Sequence, residues 1–428
     1  MTPAARLAAA AKVLDRIAGS RAPAEGVLQA WGRSNRYAGS RDRRAIADRV
    51  FACLRNRARL AGAGGAEDGR TLVLMSLALL DGLPPQEIEA LHSGAGYGPA
   101  PLSEAERARL ATAAAGTDDG GGLPGFVEAD FRRRFGDEWA EEAEALRSGR
   151  APVDLRVNEA ERDAVAAELR AAGLNVTATP WSALGLRLPS GSDVQASAAW
   201  REGRVEVQDE GSQLAAWLAG ARPGELVVDY CAGGGGKTLA LAQALGGEGW
   251  LVACDVESRR LEAVRPRLLR AGAEAELRLL GPEGEGVSDL EGRADLVFVD
   301  APCSGAGTWR RRPEAAWRLT MEEVERLHGL QVAILGWAAK LVRPGGRLVY
   351  VTCSVLGREN EDSATAFAEA HGEFRPVPVA EAVASAPALT EAGRERVAEL
   401  ADGGHQVQLT PARTGTDGFF VALFERNA

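Results

Sequence analysis

The sequence predicts an α/β protein: a Rossmann-like sheet domain preceded by a small α/β module and a helical N-terminal domain. Three observations carry this. Glu225-Leu226-Val227-Val228-Asp229-Tyr230 reads as a buried strand that enters a glycine-rich turn and then a helical stretch, Leu239 to Leu245, the strand–turn–helix order of doubly wound sheets. Two more apolar, β-branched runs, Leu296-Val297-Phe298-Val299 and Leu348-Val349-Tyr350-Val351, each end in a polar turn that carries a cysteine. Residues 3–60 and 71–91 instead place their apolar residues at helical spacing.

Along the chain, Leu7, Ala11, Leu14 and Ile17, then Ile46, Val50 and Leu54, mark amphipathic helices. The stretch 61–69, with four glycines, predicts a loop. Leu72–Leu80, the longest apolar run, is too short to span a bilayer and reads as a buried helix. Gly94–Pro101 and Thr117–Pro124 are glycine-rich loops, and 126–147 reads as one or two short helices. These form a helical domain over 1–148. Residues 149–205 alternate short strands with one helix, Ala160 to Ala172, as a small α/β module. The third domain covers 206–428. In it a second strand, Trp250–Cys254, ends at Asp255, and an amphipathic stretch over 323–342 leads into the strand before Cys353. Ala384–Glu399 is Ala-rich and reads as a surface insertion or a helix.

A strand that ends in a polar turn presents its last side chains at the rim of the sheet, where ligands bind in open α/β folds. Asp300-Ala301-Pro302-Cys303-Ser304 and Thr352-Cys353-Ser354 bring two thiols and a carboxylate to such a rim. That set suits covalent chemistry, in which one thiol attacks, an acid assists and the second thiol helps release product. The turn Cys231-Ala232-Gly233-Gly234-Gly235-Gly236-Lys237-Thr238 lets the backbone approach a nucleotide-like ligand and opens a helix N-terminus. Asp255, roughly 20 residues on, can accept both ribose hydroxyls. The turn is not a phosphate loop, because Cys231 stands where the Walker pattern needs glycine. The NAD fingerprint also fits poorly, since Lys237 and Thr238 follow Gly236. A ligand with adenine and ribose but no pyrophosphate fits better, and S-adenosylmethionine (SAM) is the candidate.

At these residues the chain resembles the RsmB/Fmu/Sun family of SAM-dependent RNA cytosine-5 methyltransferases. The matching segments are Val207–Leu214, Cys231–Thr238, Asp255, Asp300–Ser304, Thr352–Ser354 with Glu359-Asn360-Glu361 behind it, and Gly415–Phe420, in family order over about half the chain. Leu155-Arg156-Val157-Asn158 looks like the family's entry into a small domain, and Arg41-Asp42-Arg43 before an amphipathic helix looks like a NusB-like domain. DNA cytosine-5 methyltransferases resemble the chain only in part, because they attack with the Pro-Cys thiol and lack the Thr-Cys one.

The resemblance implies a class I SAM methyltransferase domain that methylates carbon 5 of a cytosine in RNA, most of all ribosomal RNA. It implies Cys353 as the attacking thiol, Asp300 as the acid near ring nitrogen 3, and Cys303 as the group that aids breakdown of the adduct. Cys231, Ala232, Gly233, Gly234, Gly235, Gly236, Lys237, Asp255 and Asp300 are the implied cofactor-binding residues. Thiols are mostly protonated at neutral pH, so the attacking cysteine needs surroundings that favour thiolate, and Lys237 is the candidate cation. Cys53, Cys231 and Cys254 read as small buried hydrophobes. The chain departs from the family at three places. Gly233-Gly234 replace Ala-Pro, which loosens the turn before folding. Gly281 stands where an Asp is expected to hold the adenine amino group, leaving a backbone group or Glu283 for that task. Pro411-Ala412 replaces Pro-His.

Composition bounds the remaining choices. Five cysteines, an odd count without framework spacing, argue for a reducing compartment, the cytoplasm. Met1–Ala11 does not read as a signal peptide. The four histidines are scattered, and no Cys/His cluster has zinc spacing, so no metal is expected. Net charge is −10, yet residues 1–60 hold thirteen basic and four acidic residues, a local +9. That segment is a candidate phosphate-contacting surface, with a solvated helix face as the plainer alternative. The small module is a second candidate for looped or single-stranded RNA. A monomer is favoured, with the oligomeric state left open. Two other classes are kept: a non-catalytic SAM- and RNA-binding ribosome assembly factor, and a small-molecule methyltransferase, which needs neither two thiols nor a basic helical domain.

Overall fold

The computed structural model describes residues 1–113, 122–158 and 161–428. Most of the Thr117–Pro124 loop and the start of the helix expected from Ala160 lie outside the described residues. The chain forms two compact units, Met1–Ser148 with Trp309–Arg318, and Gly149–Thr308 with Leu319–Ala428.

The first unit is helical. Pro3–Ala18 begins where the Thr2 hydroxyl accepts the Ala5 N–H, with Pro3 in the first turn. Ser40–Arg55 and Gly69–Leu79 pack against it, the latter capped by the Asp68 carboxylate on the Thr71 N–H. Val13, Leu14, Ile17, Ile46, Val50, Leu54 and Leu72–Met75 form their shared core. The 61–69 stretch is only partly a loop, because Arg57–Gly64 is helical and the chain turns at Gly65 with φ +67°. The glycines at 64 and 69 serve close packing: a Cβ on Gly64 would strike Thr71, and one on Gly69 the Ala11 carbonyl. Residues 309–318, which lie within the C-terminal domain by sequence, group with this unit. There the Trp317 indole N–H donates to the Leu54 carbonyl at 3.0 Å, and Glu314 accepts the Ala24 N–H at 3.1 Å.

The second unit holds two sheets. β1 (Val153–Val157), β2 (Thr177–Ala178), β3 (Gly185–Leu188) and β4 (Val205–Val207) form an antiparallel sheet in the order β2-β3-β1-β4. The helix Arg162–Ala171 packs Val165, Ala166 and Leu169 on it.

The larger sheet contains β5 (Leu226–Asp229), β6 (Trp250–Asp255), β7 (Glu276–Leu279), β8 (Ala294–Asp300), β9 (Val342–Thr352), β10 (Phe374–Pro376), β11 (Gln406–Leu409) and β12 (Phe419–Arg426). Its order is β10-β12-β9-β8-β5-β6-β7, with β11 also paired to β12. β5 to β9 run parallel, and β12 enters antiparallel beside β9 with Phe420 opposite Thr352. Parallel strands covered on both faces need continuous apolar runs. Val227, Val228, Val297 and Phe298 are accordingly fully buried. Helices Glu210–Leu218 and Gly236–Leu245 cover one face, and Met321–Ala339 and Glu361–Ala370 the other.

The Ala-rich stretch after 384 belongs to the core. Val383, Ala386, Leu389 and Val397, on or between the helices Val379–Ala384 and Glu391–Ala401, are buried in it. No helix among the described residues is long and apolar enough to cross a membrane.

Candidate active site

The candidate residues converge where β5, β6, β8 and β9 end and β12 begins. Strand order reverses at β5, which pairs with β6 on one side and β8 on the other, and the C-terminal end of such a strand is where open α/β sheets bind ligands. Cys303 follows β8 and Cys353 follows β9. Their sulfurs lie 3.3 Å apart, within hydrogen-bonding distance and with both thiols free. The Cys303 thiol is held well above its ordinary pKa by the hydrogen bond with Cys353, by burial and by the charges of Cys353 and Glu359. It therefore stays protonated and can donate toward Cys353.

Lys237, in the first turn of the helix after the glycine turn, reaches across to Asp300 with Nζ 2.7 Å from Oδ2. Burial works against its charge, but Asp300, through charge and hydrogen bond, and then Cys353 outweigh it and hold the lysine above its usual pKa. The ammonium also sits 4.9 Å from the centre of the Phe419 ring. Beneath the pair lies Asp229, fully buried, which accepts the Thr238 hydroxyl at 2.6 Å. Burial raises its pKa to about 7, with Asp300 adding to the rise and Thr238 and Lys237 opposing it.

The glycine turn has two left-handed residues, Gly233 (φ +54°) and Gly235 (φ +80°). A Cβ on Gly235 would also collide with Val264, so this glycine serves both turn and packing. The looseness expected from Gly233-Gly234 is offset by three contacts. Asp255 Oδ2 accepts the Gly233 N–H at 2.9 Å, Arg267 donates to the Gly234 carbonyl, and the buried Arg156 donates to the Gly236 carbonyl at 3.4 Å. Asp255 Oδ1 accepts the Glu257 N–H at 2.8 Å, and each carboxylate oxygen keeps a free lone pair. Cys231 and Ala232 begin the turn, tied to β6 by the Ala232 N–H on the Cys254 carbonyl at 2.8 Å. Burial pushes the Cys231 and Cys254 thiols up. At Gly281 the carboxylate that lies close is that of Glu285, which folds back to accept the Glu283 N–H at 2.9 Å.

The other motif segments brace this rim. Asp209 caps the helix Glu210–Leu218 on the Gly211 N–H and takes the Asp417 N–H at 3.0 Å. Gly418 donates to the Gly307 carbonyl at 2.8 Å, and Gly307 to the Cys353 carbonyl at 2.9 Å. A Cβ on Gly307 would strike the Gly418 carbonyl, which requires glycine there.

Residues 215–425 match the family model described as 16S rRNA methyltransferase RsmB/F, and 123–195 match the ferredoxin-like domain model of RsmF/B-like methyltransferases. A ribosomal RNA small subunit methyltransferase B of Xanthomonas campestris is 31% identical over 312 residues, covering 71% of this chain and 67% of that protein. The chain belongs to the RsmB/F family of 16S rRNA methyltransferases. A protein of the same name from Pseudomonas syringae is 33% identical over 290 residues, 66% of this chain. The match spans 62% of that protein, so the chain spans a little under two thirds of its length. A methyltransferase homolog of Pyrococcus horikoshii, known from a crystal structure, is 25% identical over 72% of this chain and 96% of its own, with a TM-score of 0.57.

In this RsmB/F chain, sequence reasoning singled out both cysteines, Asp300, Lys237, the glycine turn and Asp255, and the fold brings them to one rim. It missed Arg156, Arg267, Glu285 and Phe419, and Gln331, whose amide donates to the Pro302 carbonyl beside Cys303 at 3.0 Å. Gln331 did leave a signal, as a polar residue between Leu327 and Ile334 on the buried side of an amphipathic helix. Among the described residues no group of three or more His, Cys, Asp or Glu could hold a metal ion.

Proposed function

We propose that this chain transfers a methyl group from SAM to carbon 5 of a cytosine in ribosomal RNA, through a covalent adduct on Cys353. The observation that supports this reading best is the pair of free thiols 3.3 Å apart beside the Lys237–Asp300 ion pair. A SAM-dependent enzyme acting on a base by other chemistry has no use for two adjacent thiols. An assembly factor that never catalyses has none either.

The rim fits the cofactor. Gly233–Gly236 leave a side-chain-free surface, the helix from Gly236 has free N–H groups at its start, and Asp255 has unused lone pairs for ribose hydroxyls. Glu285, whose carboxylate lies against Gly281, is in this reading the group that meets an adenine amino group. SAM supplies the methyl group that ends on carbon 5. The target base must be unstacked to reach the thiols. Cys353 adds its sulfur to carbon 6, and Asp300 with its Lys237 partner faces the nitrogen-3 edge, so that charge building on the ring meets a proton-bearing pair. Solvent water then takes the carbon-5 proton, the electron pair of that C–H bond re-forms the carbon 5–carbon 6 double bond, and the carbon–sulfur bond breaks to return the thiolate. Cys303, a neutral thiol in contact with that sulfur, helps the expulsion.

Methylation of ribosomal RNA by the full-length protein, followed by nucleoside analysis, tests the reading. 5-Methylcytidine is expected, and a methyl group on any other atom would reject it. Asp255→Ala is expected to weaken SAM binding by about 1–3 kcal/mol, the cost of losing a charge-assisted acceptor. Unchanged affinity by calorimetry would remove Asp255 from the ribose site.

The +9 segment contributes the RNA contact in this reading. Tyr37 is 70% exposed, between the exposed Arg33, Arg36, Arg41 and Arg44. An exposed ring among guanidinium groups suits unpaired bases and their phosphates. Because Trp309–Arg318 group with the helical unit, substitution is a cleaner test than deleting the domain. Changing these four arginines to Gln is expected to weaken RNA binding and flatten its salt dependence by about 0.7–0.9 logarithmic units per lost phosphate contact. An unaltered slope would leave the arginines as a solvated helix face.

A further inference from the structure

We propose that Glu359 is the positioning residue that straps the two cysteine loops together; the role rests on the covalent reading above. Glu359 is fully buried, lies on no strand end, and has no part in the chemistry just described. Its side chain accepts four hydrogen bonds. Oε1 takes the Ser304 N–H at 2.7 Å and the Gln331 amide at 3.2 Å. Oε2 takes the Ser304 and Ser354 hydroxyls, both at 2.5 Å. Ser304 directly follows Cys303 and Ser354 directly follows Cys353, so one carboxylate grips each loop one residue beyond its thiol. The same Gln331 amide donates to the Pro302 carbonyl at 3.0 Å, which adds a hold on the other side of Cys303.

The strap is itself fixed. The Tyr350 hydroxyl donates to the Glu359 carbonyl at 2.5 Å, and the Glu359 N–H to the Leu356 carbonyl at 3.1 Å. A buried carboxylate is expensive, and apolar packing would stabilise the fold as well or better. Here four donors reach its two oxygens, with no basic partner among these contacts. Its geometry answers a need that packing alone does not create: the two sulfurs belong to loops after different strands, 50 residues apart in the chain, yet must stay at 3.3 Å. The charge has a second effect, since it helps hold Cys303 protonated. Among the described residues, the ionisable groups around these loops include Cys353, the paired Lys237 and Asp300 beside it, Glu361, and Tyr350, whose phenol burial keeps neutral.

The test uses the full-length protein and two variants, Glu359→Gln and Ser354→Ala. Three quantities are measured: SAM affinity, single-turnover methylation at saturating RNA, and the pH profile of iodoacetamide alkylation at Cys303, mapped on peptides. Both variants are expected to keep SAM affinity within about twofold while single-turnover methylation falls by on the order of 100-fold for Glu359→Gln and less for Ser354→Ala. The Cys303 alkylation midpoint moves to lower pH in Glu359→Gln, which loses the charge, and stays in place in Ser354→Ala, which keeps it. A folded Glu359→Gln protein with the parental rate and parental alkylation profile overturns the proposal. If that variant does not fold, an unchanged rate in Ser354→Ala overturns it instead. Should the parent protein fail to methylate cytosine while the alkylation shift is seen, the link between Glu359 and Cys303 stands and the methylation reading falls.

Discussion

Cys353→Ala is expected to bind SAM nearly as the parent does and to lose methyl transfer by at least about 10⁴-fold, the scale on which removal of a covalent nucleophile is felt. The separation of the two effects follows from the sheet. The glycine turn and Asp255 sit at the ends of β5 and β6, whereas Cys353 follows β9, with β8 between β9 and β5. Removing one sulfur atom from a half-buried side chain leaves the turn, its arginine contacts and the Lys237–Asp300 pair in place. SAM affinity by calorimetry and methylation of RNA with labelled cofactor give the two readouts. Retained turnover would show that another group attacks. Loss of SAM binding in step with activity would show that the substitution disturbs the rim as a whole.

The second large effect is a gain of signal. Cys303→Ala is expected to trap a protein–RNA adduct that survives a denaturing gel, requires SAM, and disappears when Cys353 is also replaced. The 3.3 Å between the sulfurs does not by itself say which one attacks. In the proposed reading Cys353 attacks and Cys303 assists. Cys303 is held as a thiol by its bond to Cys353, by burial and by the nearby Cys353 and Glu359 charges. Lys237, held above its usual pKa by Asp300 and then by Cys353, is the cation beside the pair. The protonated sulfur is suited to help expel its neighbour, and its loss leaves the adduct formed and unresolved. An adduct trapped by Cys353→Ala instead would exchange the two roles.

The sequence by itself determined the central strands and the rim at which the candidate residues meet. Val227-Val228, Leu296–Val299 and Leu348–Val351 are continuous apolar runs that only a sheet buried on both faces accommodates, and each is followed at once by its motif. Strand identity and site position are therefore local properties, set within about ten residues of chain. The buried helix over Leu72–Met75 was legible for the same reason, from the unbroken apolarity of its run. Local reading erred where glycine was taken for a loop signal. Gly64 and Gly69 lie in or at the start of helices, because a close neighbour leaves no room for a side chain there.

Only the tertiary structure decided the partners. Lys237 and Asp300 are 63 residues apart, Asp209 and Asp417 are 208 apart, and the Ala24 N–H meets a carboxylate 290 residues away. The same holds for Glu285 beside Gly281, for the arginines that hold the glycine turn, and for Glu359 between the cysteine loops. These are polar residues in connections, without a repeating pattern to mark them. Hydrogen-bond partners there are chosen by which loops the packed sheet brings within about 3 Å of one another, a condition that periodicity along the chain does not encode.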